Sequence, residues 1–116
     1  MSKFLFIFSN TPRNINSQEG FDALLTGSAF GMCSVLFIGD GVYQLLKEQK
    51  PEPLGVKNYA LGFSALSDYD VDMIYCSKSQ LQFLNVNTSK LIIPAVELTD
   101  YEVNQLITQH DKVLSF

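Results

Sequence analysis

The chemistry-bearing residue with the most suggestive neighbours in this chain is Cys76. It follows Val71-Asp72-Met73-Ile74-Tyr75, whose β-compatible bulk predicts a short buried strand over 71–76. It precedes Ser77-Lys78-Ser79-Gln80, in which Ser77 and Gln80 have the S-x-x-Q spacing of a capping box. A thiol at 76 would then end a strand one residue before a helix cap. Unpaired N–H groups and the positive end of the helix dipole would favour its thiolate there and lower the pKa from about 8.5. Lys78 would add a favourable charge, although a lysine facing solvent is the simpler reading. The alternative for Cys76 itself is a small buried hydrophobe closing the strand.

The other reactive types are less suggestive. Cys33 is far from Cys76 in sequence and reads as packing in the short connection after the first helix, at the opposite end of a parallel sheet from Cys76. The two form no C-x-x-C motif, so neither a disulfide framework nor a zinc site is expected. His110, the one histidine, falls near the end of a predicted helix, where capping is the expected role. Asp68, Asp70 and Asp72 lack the ligand loop of an EF-hand and read as a solvated turn, so no metal is expected. Gly39-Asp40-Gly41-Val42-Tyr43-Gln44 begins like G-x-G-x-x-G but lacks the third glycine and follows the second strand. It reads better as a tight strand-to-helix turn. There is no phosphate-binding G-x-x-x-x-G-K-[ST] loop, and no cofactor is expected.

The elements that must position these residues follow from hydrophobic period. Lys3–Phe8 is apolar almost throughout, as in a strand covered on both faces. Asn16 with Glu19 predicts the cap of a first helix, whose stripe is Phe21, Leu24, Leu25, Ala29 and Met32 and which Gly31 helps to stop. Val35–Ile38 is the second strand, followed by the glycine turn and a short helix carrying Val42, Leu45 and Leu46. Residues 47–57, with Pro51, Pro53 and Gly55, predict an exposed connection, and 58–66 a helix with Tyr59, Phe63 and Leu66 on one face. After the central strand and a short helix to about Leu84, Leu91-Ile92-Ile93 predicts a fourth strand stopped at Pro94. Thr99-Asp100-Tyr101-Glu102 is a second capping box, Val103, Leu106 and Ile107 the inner stripe of the last helix, and Val113–Phe116 a closing strand. Strands alternating with helices predict an α/β fold, one domain over 1–116 with a five-stranded, mostly parallel sheet and helices on both faces. Ligands in such folds gather at the carboxyl ends of the strands, where Ser9–Arg13, Gly39–Gly41 and Cys76–Ser79 would meet.

Composition narrows the function classes. Of 116 residues, 47% are hydrophobic and only 17% charged, against about 25% charged in a typical soluble domain, so some apolar surface is expected to be buried against other subunits. A net charge of −4 argues against a broad nucleic-acid footprint. The apolar run Phe4–Phe8 is too short for a signal peptide or a membrane span, so a cytoplasmic location away from membranes is expected.

Four stretches together carry a family resemblance: Phe6-Ile7-Phe8-Ser9, Glu19-Gly20-Phe21-Asp22-Ala23-Leu24-Leu25, Asp40-Gly41-Val42-Tyr43-Gln44-Leu45-Leu46 and Lys112-Val113-Leu114-Ser115-Phe116. In this order and spacing they resemble the TusC/DsrF branch of the DsrE/DsrF/DsrH family of small sulfur-relay proteins. The resemblance implies a three-layer α/β/α subunit of a TusBCD-type assembly, a dimer of heterotrimers. Homologous TusB-like and TusD-like chains would be its partners and a TusE-like protein the downstream acceptor. Such assemblies pass persulfide sulfur towards 2-thiolation of the tRNA wobble uridine. Cys76 falls on the position of the sulfur-carrying cysteine in the related TusD/DsrE subunit, and so becomes a candidate persulfide carrier. TusC-type chains do not reliably hold a cysteine there, which makes a structural or accessory subunit the leading expectation. A small nucleotide- or anion-binding module at the glycine turn, or an interaction protein with no site of its own, are the alternatives.

Overall fold

In the computed structural model, residues 3–11, 14–46, 66, 71 and 73–116 are described. β1 (Lys3–Phe8), β2 (Met32–Phe37), β3 (Met73–Ser77), β4 (Val96–Leu98) and β5 (Lys112–Ser115) form one five-stranded sheet, in the order β4-β3-β2-β1-β5. Every neighbouring pair is parallel. The near-continuous apolar runs in β1 and β2 have the reason anticipated for them: both faces of these strands are buried. One face of the sheet carries Phe6, Phe8, Cys33, Val35, Phe37, Ile74 and Cys76 into a large core that Phe21 and Leu24 of α1 (Ile15–Gly27) complete. The other carries Leu5, Ile7, Leu36 and Leu98, closed by Leu106 of α3 (Asp100–Thr108) with Val103 and Ile107 beside it. The three-layer arrangement therefore follows from alternation along each strand and from one apolar stripe on each helix.

α1 begins earlier than its sequence suggests. Asn14, not Asn16, is the cap: its backbone is extended and its side chain accepts from the Asn16 N–H at 2.8 Å. The helix ends at Gly27, before Gly31, so Ala29 and Met32 lie outside its stripe, and Met32 opens β2. Cys33 consequently sits inside β2 rather than in a connection. Gly39–Leu45 is a 3₁₀ helix.

The fourth strand is the main correction. Leu91-Ile92-Ile93 is not in the sheet. Ile92 donates its N–H to the Leu45 carbonyl at 2.7 Å, Leu91 bridges Leu46 antiparallel, and Leu91 and Ile93 are buried in the larger core. The edge strand is Val96-Glu97-Leu98, beyond Pro94. A short apolar run records burial but does not distinguish a strand from a packed loop, and here the loop closes the core beneath the 3₁₀ helix. The expected connection over 47–57, the helix over 58–66 and the aspartates at 68, 70 and 72 lie outside the described residues, apart from Leu66, which is buried with Val71 in the larger core.

Candidate functional site

β3 places Cys76 at the carboxyl end of the third strand in sequence, between Phe37 of β2 and Glu97 of β4. Ser77 closes the strand in extended conformation and caps α2 (Lys78–Phe83), its Oγ accepting from the Gln80 N–H at 3.2 Å. The Ser77 and Ser79 hydroxyls lie 3.0 Å apart, and Ser79 donates to Asp100 Oδ1 at 3.1 Å. Asp100 opens α3, which Thr99 and Glu102 cap with a full reciprocal box. The segment after Cys76 is therefore tied by hydroxyls to the start of the next helix.

The thiol itself belongs to the larger apolar core. Cys76 is fully buried. Burial, with the neighbouring Glu97 carboxylate adding to it, pushes its pKa up to about 11. The expected lowering by the helix terminus is reversed. α2 has only six residues and exerts a weak dipole, whereas desolvation penalises the thiolate directly. Lys78 is exposed, and its charge adds a little to the lowering of the Glu102 pKa. Cys33 lies towards the amino ends of the strands, opposite Phe4, with its S–H directed at the Gly31 carbonyl at 3.9 Å. Burial raises its pKa as well. The two thiols are free and stand at opposite ends of the parallel strands.

The remaining residues singled out by sequence find structural roles. His110 donates Nδ1–H to the Leu106 carbonyl at 2.8 Å, near the end of α3, as a cap. Gly39 adopts φ +50°, which suits glycine. Gly41 spends its N–H on the Ile38 carbonyl, and a Cβ there would stand 1.8 Å from the Phe8 carbonyl oxygen. Close backbone packing thus accounts for Gly41 without a phosphate ligand. Among the described residues, no group of three or more His, Cys, Asp or Glu side chains is arranged to hold a metal ion.

Sequence reasoning missed two groups. Glu97 reaches Cys76 only because β4 pairs with β3. Gln44 is fully buried at the carboxyl ends of β1 and β2, where Nε2 donates to the Asn10 carbonyl at 2.9 Å and to Ser17 Oγ at 3.1 Å. Ser17 in turn donates to the Thr11 carbonyl at 2.8 Å, joining the loop after β1, α1 and the 3₁₀ helix. A single amide between the apolar Val42 and Leu45 was the signal available for it.

Comparison with known proteins agrees with this architecture. The profile of the DsrE/DsrF-like family matches residues 2–116. Proteins called TusC from Buchnera aphidicola subsp. Acyrthosiphon pisum are 36% identical over 119 residues, spanning all of both chains. A TusC homolog from Aliivibrio fischeri is 31% identical over 118 residues, again spanning both chains entirely. The crystal structure of the ychN protein from E. coli superposes with a TM-score of 0.85 over the full length of both chains at 20% identity, a likeness of fold.

Proposed function

Because this chain belongs to the DsrE/DsrF-like family over nearly its whole length, we propose that it is a structural or accessory subunit of a cytoplasmic sulfur-relay assembly of the TusBCD type. In this reading it assembles with homologous TusB-like and TusD-like chains. The assembly passes persulfide sulfur, through a TusE-like acceptor, towards 2-thiolation of the tRNA wobble uridine. The observation that carries the structural role is the burial of Cys76: a fully buried thiol with its pKa pushed up to about 11 is held neutral near pH 7 and is a poor nucleophile. No helix among the described residues is long and apolar enough to cross a membrane. The test is to purify the tagged chain together with its genomic neighbours and to measure wobble 2-thiouridine in cells. Co-purification with two homologous small proteins, loss of 2-thiouridine on deletion and retention in Cys76→Ser support the reading. Purification without them, or unchanged 2-thiouridine on deletion, overturns it.

A second reading keeps Cys76 as the persulfide carrier, favoured by its place at the carboxyl end of β3 beside a capped helix. Movement of the chain around Cys76 would first admit a donor. The Cys76 thiolate would then attack the outer sulfur of a donor persulfide, forming Cys76–S–SH and releasing the donor as its thiolate. Loss of wobble 2-thiouridine in Cys76→Ser, with the assembly intact, would select this reading.

A further inference from the structure

We draw no further inference here: the strongest candidate, the groove between α1 and the β5 edge of the sheet with Phe4, Phe6, Phe30 and Leu114 along its walls, is an unpartnered apolar face, and nothing in the structure shows what covers it.

Discussion

Cys76 and Glu97 stand side by side in the parallel register of β3 and β4, and the carboxylate adds to the burial that holds the thiol protonated. The position that would favour a thiolate at the carboxyl ends of the strands instead holds this thiol protonated. In the native chain, alkylation of Cys76 near pH 8 is expected to run about two orders of magnitude slower than in urea, where its pKa returns to about 8.5. Glu97→Gln should lower its pKa. Peptide mapping of native and unfolded protein against pH checks both, and Cys76 labelling faster than Cys33 in the native chain would contradict the geometry.

The raised thiol pKa also sets a stability profile. A folded-state value above the unfolded one means that the unfolded chain loses its proton first. The contribution is therefore fully present below about pH 8.5 and is lost as pH rises towards about 11. Urea midpoints at pH 7, 9 and 10.5 should fall more steeply for the parent than for Cys76→Ala.

At the start of α3, Thr99 Oγ1 accepts from the Glu102 N–H at 3.2 Å and Glu102 Oε1 from the Thr99 N–H at 3.0 Å. Thr99→Ala should cost about 0.5–2 kcal/mol. These bonds lower the Glu102 pKa, so its share of the stability is present above the unfolded carboxylate value of about 4.3 and lost as pH falls through the lower folded value. Glu102→Gln should flatten the acid limb of the melting temperature.

Gly41→Ala is expected to be among the most damaging single changes, because a Cβ would collide with the Phe8 backbone, which cannot swing aside as a side chain could. A loss above about 4 kcal/mol, or failure to fold, is expected. Gly39→Ala meets open space and should cost only the roughly 1 kcal/mol of a left-handed backbone. Chemical denaturation of the two variants separates the effects.

Gln44→Glu should place a carboxylate against the Asn10 carbonyl in a fully buried position. A loss of about 3 kcal/mol or more is expected at pH 7, with recovery towards pH 4 as the buried acid protonates. Gln44→Met, which removes the amide while keeping its length, should be milder. Denaturation curves at both pH values test the sign.

The local elements were legible from residue order because local forces make them. The apolar runs of β1 and β2, the stripe of α3, the Thr99 box and the Ser77 cap each depend on neighbours within a few residues. A parallel five-stranded sheet then follows from alternation of strands and helices. Three features depended on tertiary contacts that no local pattern contains. Leu91–Ile93 left the sheet because burial beneath the 3₁₀ helix satisfied the same apolar run that a strand would have buried. Gln44 acquired its role only where the loop after β1, α1 and the 3₁₀ helix converge. The state of Cys76 was reversed because a six-residue helix dipole, readable from Ser77 and Gln80, is weaker than the desolvation and the Glu97 charge that β2, β3 and β4 impose on assembly. Residue order placed the thiol at the end of its strand; packing decided that it stays protonated there.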